Sequence, residues 1–154
     1  VMSWPLTRGF SEAELYKKQL DTAVVKADNG FKPTFAMMRH AAVYENAAGR
    51  DAAINALQGV LGQFENLFRN LGDVKDGFPK KIPLAELQGR EQYDAAMLEE
   101  NLLFGSPETV IEKLKQYQTL GVDEFIYYAS LGLGMEAQKQ SLQLFCDEVI
   151  PAFQ

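Results

Sequence analysis

Apolar residues recur along much of the chain at the spacing that places side chains on one face of an α-helix. This pattern predicts four long helices, at about residues 11–29, 50–71, 107–120 and 135–153. Residues 84–103 carry a weaker version of the pattern, broken at Gly89, and we expect one or two short helices there. Helices therefore make up most of the predicted secondary structure.

Residues at the ends of these segments define the helix boundaries more closely. Ser106 is a favourable N-cap, and Pro107 suits the first helical position because proline lacks the amide hydrogen that would be unpaired there. Gly121 can adopt the left-handed conformation that ends a helix. Ser11, followed by a glutamate three residues later, has the sequence of a capping box, so the first helix is predicted to begin there. Gly72 is predicted to close the second helix.

Three short apolar runs separate the helices, at residues 1–4, 34–43 and 125–128. They contain few charges, which is the composition of strands buried on both faces of a parallel sheet. Residues 73–83 instead contain turn-forming residues without an apolar period, and they predict a mobile loop. Helices and strands that alternate with short connections predict an α/β fold.

Length and charge restrict the class of protein. With 154 residues, the chain can form one domain with its own core, and we treat residues 1–154 as a single segment. A net charge of −6 and an isoelectric point near 4.8 argue against nucleic acid or an anionic membrane surface as a partner. Neither a membrane-spanning run nor a signal peptide is recognisable. The single cysteine cannot form an internal disulfide, and we expect a cytoplasmic protein.

His40 and Trp4 are the candidates for chemistry, because each is the only residue of its type. Side chains alternate along a strand, so Met38, His40 and Ala42 are predicted to share one face while Arg39 lies on the other. His40 can act as an acid or base near neutral pH, or it can be a buried histidine that bonds to a neighbouring strand. Trp4 can line a ligand site or belong to the core.

Other reactive residues give weaker signals. Cys146 is predicted to be an inert thiol on the inward face of the last helix. One histidine and one cysteine do not provide the spacing of a metal site, so no metal is expected. Gly132 and Gly134 precede a helix, but a flexible joint explains them better than a phosphate site does.

Five short motifs follow one another along the chain. They are Met-Ser-Trp at 2–4, Met-Arg-His-Ala-Ala-Val-Tyr-Glu-Asn at 38–46, Gly-Ser-Pro-Glu at 105–108, Gly-Val-Asp at 121–123 and Val-Ile-Pro-Ala-Phe at 149–153. In this order they resemble the carboxyl-terminal part of the bacterial-luciferase-like flavin-dependent monooxygenases. That family folds as a (β/α)8 TIM barrel, which needs about 250 residues. The resemblance implies a partial barrel of about the last three β/α units, with a loop and helix insertion before the last strand.

The same resemblance implies an activity and its cofactor. Such enzymes insert one oxygen atom of O2 into a small organic substrate with reduced FMN, which a separate flavin reductase supplies. His40 would then be the catalytic residue, facing the flavin or its oxygen adduct, and Trp4 would be a cofactor-binding residue beside the flavin ring. Met38 stands where some members have an arginine, which argues against a sulfonate substrate.

Two alternatives remain open at this point. A deazaflavin-dependent oxidoreductase would have a related fold and hydride chemistry. A non-catalytic flavin-binding or structural barrel fragment is the other, because three parallel strands leave two open edges that proteins normally cover. We therefore expect either a homo-oligomer or a chain that lacks the amino-terminal half of its barrel.

Overall fold

The computed structural model describes residues 1–69, 74–79, 82–129 and 132–154. Within these ranges the helices are α1 (Phe10–Ala27), α2 (Ala47–Arg69), α3 (Leu84–Gln88), α4 (Ala95–Asn101), α5 (Pro107–Leu120) and α6 (Met135–Leu144). The strands are β1 (Met2–Ser3), β2 (Ala36–Val43), β3 (Val74–Lys75), β4 (Phe78–Pro79), β5 (Leu103–Gly105) and β6 (Glu124–Tyr128). Short 3-10 helices span Glu91–Tyr93 and Ile150–Phe153, and a π-helical turn, Phe145–Val149, extends α6.

Strand β2 is the centre of a four-stranded parallel sheet. It pairs with β1, with Met2 opposite Ala36, and with β6 over its first five residues. Its last three residues pair with β5, where Ala41 lies opposite Leu103. The mixed α/β architecture with a parallel sheet agrees with the prediction from the sequence. The pairing with β5 was not predicted.

Both faces of β2 are covered, as its apolar composition indicates. Ala42 packs with α2 and α4 in a cluster whose other buried members are Ala53, Ile54, Leu57, Leu98, Leu102 and Phe104. On the opposite face, Ala41 and Val43 pack with Leu103, Val110, Leu114 and Val149. Met37 and Phe35 pack with Ala13 and Tyr117 of α1 and α5. Successive side chains of β2 thus alternate between two apolar layers.

Capping at α5 follows the prediction, whereas capping at α1 does not. Ser106 accepts a hydrogen bond from the Thr109 N–H, and Gly121 ends α5 with a φ of 89°. Helix α1 begins one residue before Ser11, with Gly9 as its N-cap and no side-chain cap bond. The predicted capping box is therefore wrong. Ser11 already lies within the first turn of the helix. The reason is that the preceding turn ends at Gly9, whose extended backbone makes it the N-cap.

Two further segments differ from the prediction. Helix α2 begins at Ala47 rather than near residue 50, because the Asn46 side chain accepts a hydrogen bond from the Gly49 N–H at 3.0 Å. Its predicted end at Gly72 lies outside the described residues. Within residues 73–83, β3 and β4 form an antiparallel hairpin whose turn places Asp76 and Gly77 at positive φ. The described part of this stretch is thus a hairpin rather than an irregular loop.

Candidate active site

Trp4, His40 and Tyr128 form a cluster of rings on one face of the parallel sheet. Trp4 directly follows β1, and His40 lies opposite Tyr128 in the pair β2–β6. The ring centroids are 5.7 Å apart for Trp4 and His40, 5.5 Å for Trp4 and Tyr128, and 4.9 Å for His40 and Tyr128. In α/β folds, binding sites lie at the carboxyl-terminal ends of parallel strands. The fold thus places both predicted site residues together, in a position suited to a ligand.

Two ring nitrogens of this cluster lack a hydrogen-bond partner among the described residues. Trp4 Nε1 and His40 Nδ1 are both buried without one. An indole N–H can only donate, whereas the neutral imidazole can donate through one nitrogen and accept through the other. Because buried polar atoms are normally paired, two orphan nitrogens in adjacent rings indicate a place for a polar ligand.

His40 is neutral in the folded protein. Burial, and to a smaller extent the positive charge of the neighbouring Arg39, together lower the imidazole pKa from 6.5 to about 4. The exposed fraction of His40 is 2%, in agreement with this effect of desolvation. At neutral pH the side chain can therefore orient a ligand through a hydrogen bond without adding a positive charge.

Tyr128 was not singled out from the sequence as a site residue. Phe125, Ile126 and Tyr127 directly precede it and have similar apolar character, so composition does not distinguish it. The distinguishing signal is the register between β2 and β6, which places Tyr128 opposite His40. Register becomes visible only when the two strands are paired.

A second polar cluster lies just beyond the end of β2. The Tyr44 hydroxyl donates to Glu99 Oε1 at 2.5 Å, and Arg50 Nε donates to Glu99 Oε2 at 2.7 Å. Burial and the bond to Glu99 raise the pKa of Tyr44. Beside it, a cavity of about 170 Å³ lies between Tyr44, the start of α2 and Ser141 of α6. These hydrogen bonds pair the polar groups of the cluster with one another. We therefore interpret the cluster as a structural one that stabilises the end of β2.

The remaining candidates do not join the site. Cys146 is exposed, so the prediction of a buried thiol is wrong. Leu142, one turn earlier in α6, is also exposed, so this side of the helix faces away from the core. Within the described ranges, no group of three or more histidine, cysteine, aspartate or glutamate side chains is arranged to hold a metal ion.

The fold and the ring cluster together define an α/β protein with a polar aromatic site at its parallel sheet. No family model and no solved structure matches the chain. It is, however, similar to a flavin-dependent trigonelline monooxygenase, oxygenase component, from Acinetobacter baylyi. The two are 26% identical over 153 residues, which are 99% of this chain and 42% of that protein.

This similarity supports the resemblance that the motifs indicated, to the luciferase-like flavin-dependent monooxygenases. The chain spans 42% of the length of the curated relative that it matches. Among the described helices, none is long and apolar enough to cross a membrane.

Proposed function

We propose that this chain is the carboxyl-terminal part of a flavin-dependent monooxygenase and contributes one wall of its flavin site. The observation that carries the proposal is the pair of buried ring nitrogens without a hydrogen-bond partner, Trp4 Nε1 and His40 Nδ1, in rings 5.7 Å apart on one face of the sheet. The similarity to a flavin-dependent monooxygenase supports a flavin as the ligand. Reduced FMN is the proposed form, with O2 and a small organic molecule as the substrates.

The chain's own residues suit this role. Trp4 offers an aromatic surface and an N–H donor, both of which fit a planar heterocycle with acceptor atoms. His40, held neutral by burial, supplies a hydrogen bond whose direction its packing against Tyr128 fixes. When bound, the reduced flavin would supply the reaction with O2 that protein side chains cannot perform. His40 is accordingly the proposed catalytic residue, and Trp4 the proposed cofactor-binding residue.

The unpaired edges of the sheet favour a larger assembly. Among the described residues, β1 and β6 each pair with β2 alone, so each has an edge without a partner strand. We propose that preceding strands of a TIM barrel, or a second copy of the chain, cover these edges. The relative is named an oxygenase component, which supports a separate flavin reductase as the partner.

Anaerobic titration with reduced FMN tests the proposal, because Trp4 is the only tryptophan and its fluorescence reports on this site. We expect quenching that saturates, and binding about tenfold weaker in His40→Gln through the loss of a hydrogen bond. Gln116→Ala, on the exposed side of α5, should bind as the parent does. With O2, a reductase and a substrate, the product should gain the mass of one oxygen atom.

Unchanged Trp4 emission at millimolar reduced FMN would contradict the flavin site and favour a structural segment without catalysis. The unpaired edges of β1 and β6 are the observation that favours this second candidate. A deazaflavin-dependent oxidoreductase is the third, and the same titration with a reduced deazaflavin separates it from the first. Tighter binding of the deazaflavin than of reduced FMN would support it.

A further inference from the structure

The chain makes a strained turn directly after Trp4. The Arg8 N–H donates to the Pro5 carbonyl at 2.9 Å, which closes the turn Pro5–Arg8. Leu6 has a φ of 52°, in the left-handed region that is unfavourable for a residue with a side chain. Leu6 is also 44% exposed, so burial of its side chain does not compensate for this strain. Other contacts must therefore hold the turn in place.

Two side chains from distant parts of the sequence provide those contacts. Asn101, the last residue of α4, donates from Nδ2 to the Thr7 carbonyl at 3.1 Å. Arg39 of β2 donates from Nη2 to the Arg8 carbonyl at 2.6 Å, and the same nitrogen donates to the Asn101 carbonyl. Both carbonyls that follow the strained residue are thus bound by a side chain.

The fit around Asn101 is close. A Cβ atom added at Gly9 would lie 2.8 Å from Asn101 Oδ1, which is nearer than real Cβ contacts allow. A side chain at position 9 would therefore displace the Asn101 side chain, although the extended backbone of Gly9 would itself allow one. The side chain of Asn101 thus contacts the chain on both sides of Arg8.

Arg39 is costly to bury, and this cost points to a specific role. Its exposed fraction is 0%, and within the described residues its side chain forms no salt bridge, while Nε and Nη1 lack hydrogen-bond partners. Burial of a charge without a counterion is unfavourable. The bonds that this side chain does make all lead to the turn and to the end of α4.

We propose that Arg39 and Asn101 are positioning residues of the candidate site, which hold the turn Pro5–Arg8 so that the ring of Trp4 lies against His40. Arg39 and His40 are neighbours on β2, so their side chains leave opposite faces of the sheet. This inference depends on the proposed function only for the identity of the ligand, because the positioning role concerns the ligand-free protein.

Fluorescence and NMR of the ligand-free protein test this role. In Arg39→Met and in Asn101→Ala we expect acrylamide to quench Trp4 emission about twofold more strongly, since a segment with fewer contacts opens more often. The matched control is Arg8→Met, which removes an exposed arginine side chain of the same turn but leaves its carbonyl. The resonance of His40, the only histidine, should shift in both variants and stay in place in the control.

The outcomes separate this inference from the proposed function. If both variants fold by circular dichroism and quench like the parent, Arg39 and Asn101 do not position Trp4 and the inference fails. If Arg39→Met does not fold, Asn101→Ala alone decides, because it removes one contact and leaves the Arg39 bonds to the two carbonyls. A parent that does not bind reduced FMN refutes the flavin site, whereas the quenching comparison still decides the positioning role.

Discussion

Acidification should destabilise this protein through His40. Burial and the charge of Arg39 lower the pKa of the folded imidazole to about 4, from 6.5 in an unfolded chain. Between these two values the unfolded chain takes up a proton that the folded protein does not. Stability from this group is therefore complete above pH 6.5 and is lost as the pH falls toward 4.

The size of the effect follows from the difference between the two pKa values. Each unit of difference corresponds to about 1.4 kcal/mol, so the whole effect is about 3 kcal/mol. Linkage gives about 2 kcal/mol at pH 5 relative to pH 8. This loss is a large fraction of the 5–15 kcal/mol that typically stabilises a domain.

Urea unfolding at pH 8 and at pH 5 measures this loss, with His40→Gln as the reference. The variant keeps the carboxylates of the parent, so the difference between the two pH dependences isolates the imidazole. We expect the parent to lose about 2 kcal/mol more than the variant. An NMR titration of the single histidine gives the folded pKa independently.

Equal pH dependences in the parent and in His40→Gln would refute this reasoning. So would a folded-state NMR titration with a midpoint near 6.5. Either result would mean that water reaches the imidazole, and that the ring cluster is more open than the exposed fraction of His40 indicates.

Three further predictions concern the rest of the chain. Ser106→Ala should cost about 1 kcal/mol of unfolding free energy in urea, whereas Ser11→Ala, which removes no cap, should change it little. Lys113→Met should cost about 2 kcal/mol in the same assay, because Nζ donates to three backbone carbonyls between residues 99 and 104. The control is Lys115→Met, at an exposed lysine of the same helix. Cys146 should react fully with a thiol reagent in the native protein, and a protected thiol would contradict its exposed position.

Sequence reasoning succeeded where local chemistry determines the structure. Ser106, Pro107 and Gly121 place the ends of α5 through interactions within a few residues, and the structure shows these ends as predicted. The start of α1 was predicted wrongly because a contact from α4 fixes the preceding turn, and Asn101 is about ninety residues away from it in the sequence. Local signals cannot report such contacts.

The short strands and the partners of individual side chains could not be predicted from the sequence. The composition of Leu103–Gly105 is compatible with a loop as well as with a strand. Only the pairing of these three residues with β2 identifies them as strand β5. His40 and Trp4 stood out because each is unique in the chain. Their contact with Tyr128 depends on register, and the proposed role of Arg39 depends on its contacts with the turn Pro5–Arg8 and with the end of α4.

The central position of β2 has a consequence for synthesis on the ribosome. β6 joins β2 across 88 residues of sequence. At a synthesis rate of about 5–20 residues per second, roughly ten seconds pass between the emergence of the two strands. During this interval the edge of β2 that β6 later covers is open, while α1 and α2, whose bonds are local, can already form. A nascent chain arrested before β6 should therefore be the species that binds a chaperone.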